Sequence, residues 1–380
     1  MQTIYLDNSS TTKPSETSIE ACINAMRSTF GNPSSLHRLG VEAESIVNDT
    51  RNTIAEMLNC REDEIYFTGS GTEANNLCIM GAAEGMKRRG NKIITTSIEH
   101  PSVLSTCEAL AARGFEVVKV KPQNDGNIKA CDILSLVDDN TILVSMMTVN
   151  NETGCIFPVK EVADGLMHKK SQALLHTDCV QGFGKLNIDV EDLGVDLLSA
   201  SGHKIHGPKG IGFLYKKKNV NLKPIIFGGN QEKGLRSGTE SVPLIAALGG
   251  ALSEIKIDST LKVIEELHSY AVDKLSAING VVINSPGTNH LPYILNISVL
   301  GYRSETLLHF LESKNIFVSS GSACSKGKGS HVLNEMGLNP ERTDSALRIS
   351  FCKHNKTEDI DCLCNALSEA QTTLRRKQGH

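Results

Sequence analysis

The stretch that decides the fold is "DLLSASGHKIHGPKGIGFLYK", Asp196 to Lys216. Two apolar runs, Asp196–Ser201 and Ile211–Lys216, flank a turn rich in Gly that holds Lys204 between His203 and His206. Continuous apolar runs of this length, bounded by Gly, read as strands buried on both faces. A lysine directly after such a strand is a candidate Schiff-base lysine, with Lys209 as the ordinary solvated comparison.

Working outward, the same kind of run recurs. Glu64–Thr68, Lys92–Ser97, Phe115–Val120, Thr141–Val149 and Gln172–Thr177 make seven candidate strands with the first two. Segments rich in Ala, Glu and Lys separate many of them and read as helices. The alternation predicts an α/β chain with a mainly parallel seven-stranded sheet. "FGGNQEKGLRSGTESVP" (227–243) reads as a long Gly-rich loop. One helix-like stretch follows, from about Leu244 to Ser276. A smaller α/β section then carries "YILNISV" and "ALRISF" as strands. The expected division is 1–15 as an N-terminal segment joining the small domain, 16–254 as the large domain and 255–380 as the small one.

Composition narrows the class. The chain has 380 residues, 39% of them apolar, with a net charge of −4. Neither a nucleic-acid nor a membrane surface is expected from that balance. No run of apolar residues is long enough for a transmembrane helix. "MQTIYLDNSSTTKP" lacks the basic-then-apolar pattern of a signal peptide, so a cytoplasmic location is expected. Eleven scattered cysteines without a Cys-x-x-Cys argue for free thiols and against a metal site. Most, such as Cys78, read as small core residues. Cys324 is different. It sits in "SSGSACSKGKGSH", a run with no packing value.

In open parallel sheets, ligands bind beyond the carboxyl ends of the strands. The residues found there are chemically coherent. Gly71 and Thr72 in "GSGTEANN" could cradle a phosphate at a helix start, or Ser70 or Thr72 could simply cap that helix. His100 before a proline could cap a turn, stack on a flat ring or exchange protons. The Asn pair of "NNETG" makes a turn or presents an amide. Asp178 closes an apolar strand, where a carboxylate needs a cation or strong donor, and Gln181 follows. A phosphate cradle, a stacking ring, an acid for a pyridinium nitrogen, an amide and an amine are the parts that pyridoxal phosphate requires.

With these motifs in view, the chain resembles the cysteine desulfurases of the NifS and IscS type, class V enzymes of the fold-type I pyridoxal-phosphate transferases. The resemblance runs through "YLDNSSTT", "FGNPSSLHRLG", "GSGTEANN", "EHPSVL", "VNNETG", "HTDCVQ", "SGHKIHGPKGIG", "GLRSGTE" and "SSGSAC". It implies that Lys204 holds the cofactor covalently, Asp178 pairs with its ring nitrogen, Gln181 bonds its ring hydroxyl oxygen and His100 stacks on the ring. Gly71, Thr72, Ser201 and His203 would hold the phosphate. Thr239 would reach the phosphate of the neighbouring subunit in a homodimer. Asn151 and Arg348 would hold the substrate carboxylate, Arg348 with a fork that matches it. L-cysteine would leave as L-alanine, its sulfur passing to Cys324 as a persulfide. A sulfur-acceptor protein, an iron–sulfur scaffold or a tRNA-thiolation enzyme, would take it onward.

The chain departs from the IscS pattern in three places. The loop after Cys324 is slightly shorter and more basic, the start reads "DNSS", and the tail after Phe351 is shorter. Lys326 and Lys328 either favour the Cys324 thiolate or are two solvated lysines. A selenocysteine lyase or cysteine-sulfinate lyase is the nearest alternative activity. A dinucleotide-binding protein would need a Gly fingerprint and a later acid, which are not clear here. A non-catalytic scaffold would be expected to lack Lys204 or Cys324.

Overall fold

The computed structural model describes residues 3–320 and 329–376. Its large sheet has seven strands, in the spatial order Ile65–Thr68, Gly212–Lys216, Leu197–Ser201, Leu174–Asp178, Thr141–Met147, Lys92–Thr96 and Glu116–Val120. All seven runs read from the sequence are strands. From Leu197–Ser201 to Glu116–Val120 every pairing is parallel. Gly212–Lys216 is antiparallel to both its neighbours. The two strands of the Asp196–Lys216 stretch therefore form a hairpin, with Ser201 opposite Gly212. The turn between them is too short for the crossover that a parallel pair needs.

Burial explains why these runs were legible. Every residue of Thr141–Met147 and of Leu197–Ser201 is buried, because helices cover both faces. The edge strand Glu116–Val120 instead exposes Glu116 and Lys119, and charge there discourages pairing with another chain.

A second hydrophobic cluster gathers Leu6, Ile264, Leu267, Ile297, Leu347 and Leu363. Its antiparallel sheet has the order Ala346–Ser350, Ile294–Val299, Val281–Ile283. Ile4–Tyr5 pairs in parallel with Ile316–Phe317. Bridges from Asp7 to Ser350 and from Ser319 to Arg348 carry both segments along the last strand.

The single helix expected over 244–276 is two, Val242–Leu252 and Ile257–Ser276. The first belongs to the large core. It packs on the helix Glu16–Ser28 so closely that a side chain at Gly250 would lie 2.7 Å from the Thr17 carbonyl oxygen. The second buries Ile264, Leu267, Ala271 and Leu275, one stripe at helical spacing, in the other cluster. The chain changes core between them, and Lys256 leaves helical geometry at φ −134°. Among the described residues, no helix is long and apolar enough to cross a membrane.

Candidate active site

Five strands of the large sheet deliver the residues that follow them to one cleft of about 570 Å³. Ser70, Gly71 and Thr72 come after Ile65–Thr68, and His100 after Lys92–Thr96. Asn151 follows Thr141–Met147. Asp178 and Gln181 come from the end of Leu174–Asp178, and His203 and Lys204 come after Ser201. Arg348 and Ser319 close the cleft from the smaller sheet. This is the carboxyl edge, where the topology leaves a crevice.

Asp178 is buried, with both carboxylate oxygens occupied. One accepts from Asn75 Nδ2 at 2.7 Å, the other from the Val180 N–H at 3.0 Å. Among the described residues no cation pairs with it at contact distance. Asn75 also donates to Ser102 Oγ at 2.9 Å, and that hydroxyl meets His100 Nδ1 at 2.8 Å. A buried network thus joins the carboxylate to the imidazole. His100 caps the helix Pro101–Ala111, its Nδ1 accepting from the Ser102 N–H at 3.1 Å. Burial, the largest influence, lowers its proton affinity. With Nδ1 an acceptor, the neutral ring carries its proton on Nε2. Capping and a place in the cleft, alternatives in the sequence, occur together.

Lys204 is held by the N-terminal segment. Its Nζ donates to the carbonyls of Ser9 and Ser10, each at 2.6 Å. Burial first, then the charges of Lys185 and Arg348, lowers its pKa to about 7, while Asp7 and Asp178 oppose the shift. A lysine in that state is a usable amine near neutral pH. His203 is driven down to about 4, by burial first and Lys204 next.

At the helix Gly71–Met86, Ser70 Oγ caps by accepting from the Glu73 N–H at 3.1 Å. The cap leaves the N–H groups of Gly71 and Thr72 without helical partners. A Cβ at Gly71 would lie 2.8 Å from Val180 Cγ2 and 3.2 Å from Ser201 Cβ, so a larger residue would press this turn away from the neighbouring strand ends.

Arg348 is buried, and its partners were not legible in the sequence. One Nη donates to the Asn151 carbonyl at 3.0 Å, and the other to Asp7 Oδ1 at 3.0 Å and Ser10 Oγ at 2.6 Å. Its Nε is buried with no partner among the described residues. Asp7, Ser9, Ser10 and Asn75 are the residues that sequence reasoning missed. All four lie inside motifs that carry the resemblance, "YLDNSSTT" and "GSGTEANN", but the resemblance gives them no role.

Two expected residues stand apart. Thr239 is exposed on the 227–243 loop and does not line the cleft. Cys324 lies outside the described residues. The chain on either side of 321–328 does reach the cleft, through Ser319 and through Ser330 and His331. Ser330 caps the next helix and donates to the Glu152 carboxyl group.

A family model described as Aminotransferase class-V matches residues 4–363. The chain belongs to the class-V aminotransferase family. Among its class-V relatives is the cysteine desulfurase IscS of Methanosarcina thermophila, 39% identical over 376 residues, with 98% of this chain and 93% of that one covered. A solved structure titled "NIFS-LIKE PROTEIN" superposes with a TM-score of 0.93 at 37% identity, over 98% of this chain and 100% of that one. Another, titled "SspA in complex with cysteine", gives 0.83 at 34% identity, over 93% and 100%.

Class-V enzymes of this group use pyridoxal phosphate, and this cleft's donor set fits it. Among the described residues Asp178 is a buried carboxylate without a cation, as a protonated ring nitrogen requires. Among the described residues, Ser9 Oγ, Asn75 Oδ1 and Arg348 Nε are buried polar atoms without partners around the same cleft. The helix start at Gly71 suits a phosphate.

Proposed function

We propose that this cleft takes sulfur from L-cysteine, with Lys204 and Asp178 at its centre. The chain is a pyridoxal-phosphate-dependent cysteine desulfurase. The observation that carries the residue-level reading is the pairing, in one cleft, of a buried lysine near neutrality with a buried carboxylate that lacks a cation.

Bound there, the cofactor supplies an electron sink for the pair left when the substrate loses its Cα proton. The protein's residues do the rest. Lys204 would hold the cofactor through its amine, and that amine would take a proton from the substrate Cα and return it. Asp178 keeps the ring nitrogen protonated. His100 covers the ring and, through its Nε2–H, acts as a donor. Gly71, Thr72, Ser201 and His203 hold the phosphate, and Gln181 donates to the ring oxygen. Asn151 and Arg348 orient the substrate carboxylate, with Asp7 fixing the guanidinium. The thiolate of Cys324 attacks the substrate sulfur. The S–S bond forms as the Cβ–S bond breaks, the pair of that bond stays on Cβ, which takes up a proton, and alanine leaves.

The chain works as a homodimer in this reading, with Thr239 serving the partner's phosphate, and hands its sulfur to an acceptor protein in the cytoplasm. The division at 15 and 254 is part of the same proposal. Its support is the change of core between residues 252 and 257. Mass spectrometry of the protein after incubation with L-cysteine tests the chemistry. One added sulfur on the peptide holding Cys324 is expected, and its absence while alanine forms would overturn the persulfide step.

A further inference from the structure

Lys185 is a buried lysine whose charge helps to lower the Lys204 pKa and to which the proposed chemistry gives no contact with substrate or cofactor. It follows the strand Leu174–Asp178 and is 7% exposed. Its ammonium donates to Gln181 Oε1 at 3.1 Å and lies 5.6 Å from the centre of the Tyr293 ring. Among the described residues no carboxylate pairs with it. A buried ammonium without a counter-ion destabilises a fold, and an apolar side chain of equal length would not.

The contact has a directional consequence. Burial lowers the Lys185 pKa to about 8, and below that pH its ammonium has donors only, so the oxygen end of the Gln181 amide faces it. The NH2 end faces the other way and donates to the Ser9 carbonyl at 2.9 Å. That carbonyl also accepts from Lys204. Gln181 lines the cleft, and its NH2 keeps a second hydrogen. Lys185 and the Ser9 carbonyl thus hold the amide at its two ends, and without Lys185 only the Ser9 contact would oppose its turning over to show the cleft an acceptor.

We propose that Lys185 is a positioning residue, which locks the Gln181 amide so that the cleft presents a donor to the cofactor's ring oxygen. A ring oxygen meeting that donor is held in its ionised form. The inference rests on the reading that Lys204 carries pyridoxal phosphate in this cleft.

The test is a pH titration of the visible absorption of the holoenzyme. Wild type, Lys185→Met and Lys185→Gln are compared, each with Gln181 intact and with Gln181→Leu. Losing the donor favours the proton-bearing form of the chromophore. Lys185→Met should therefore raise the midpoint by about one pH unit, and Lys185→Gln should move it the same way. With Gln181→Leu the effect of either substitution should fall below half. An unmoved or lowered midpoint overturns the proposal. So does an equal rise with and without the Gln181 amide, which would mean charge acting through space alone. Lys204→Ala separates the two levels. If it keeps the wild-type band, the cofactor assignment itself fails. If it loses the band while both Lys185 variants leave the midpoint unmoved, only the role of Lys185 fails.

Discussion

Asp178→Asn removes one charge from the cleft and leaves its shape. The local cost can be worked from the contacts. The two carboxylate oxygens accept from Asn75 Nδ2 at 2.7 Å and from the Val180 N–H at 3.0 Å. In the variant one acceptor becomes an NH2 group and faces a donor, a conflict of about 1–3 kcal/mol if unrelieved. Asn75 can relieve it by turning over, because its Oδ1 has no partner among the described residues. The Ser102 hydroxyl would then turn from His100 toward Asn75. The protein should fold and bind cofactor, with a modest loss of melting temperature. The chemical loss is larger. Two unit charges in contact at an effective dielectric near 20 attract by about 4 kcal/mol. At about 1.4 kcal/mol per decade, alanine formation should slow by roughly three orders of magnitude. The assay is alanine release from L-cysteine at saturating cofactor, with cofactor content and melting temperature measured on the same sample. A rate within tenfold of wild type, at full cofactor content, would refute the role given to Asp178.

Three further outcomes are expected. Lys204→Ala should have neither turnover nor a borohydride-sensitive visible band, both read by absorbance before and after reduction. Cys324→Ser should keep the band and bind cysteine yet release no sulfide; sulfide release at the wild-type rate contradicts the persulfide route. Glu99 is fully buried, and burial raises its pKa from 4.5 to about 8, against hydrogen bonds from the Met147 N–H and Thr96 Oγ1. Because the folded state holds this proton more tightly, its contribution is complete below about 4.5 and is lost as pH rises through 8. Glu99→Gln keeps the accepting oxygen and cannot ionise, so its stability relative to wild type should grow by roughly 2–4 kcal/mol between pH 5 and 8.5. Parallel thermal-melt profiles for the two proteins would show that Glu99 does not titrate in that window.

Much of the cleft was legible because its residues sit in short motifs directly after strands. Asp178 and Lys204 each follow a run buried on both faces, and burial on both faces writes itself into sequence as unbroken hydrophobicity. The hairpin at Ser201–Gly212 and the break before Ile257 were not visible in the same way. The break depends on which core receives each helix, and neither Pro nor Gly marks it.

The sequence by itself determined the seven strands, the turn that presents Lys204, the acid at Asp178 and the exceptional setting of Cys324. Only the tertiary structure decided who holds them. Lys204 meets the carbonyls of Ser9 and Ser10, 195 and 194 residues away, and Asp178 meets Asn75 across 103. Arg348 meets Asp7 across 341, and Lys185 turns the Gln181 amide that reaches back to Ser9. Strand burial and turn chemistry are local and leave a local pattern. The state of a buried amine or carboxylate depends on whatever dipoles and charges the fold packs against it, and no spacing along the chain encodes those contacts.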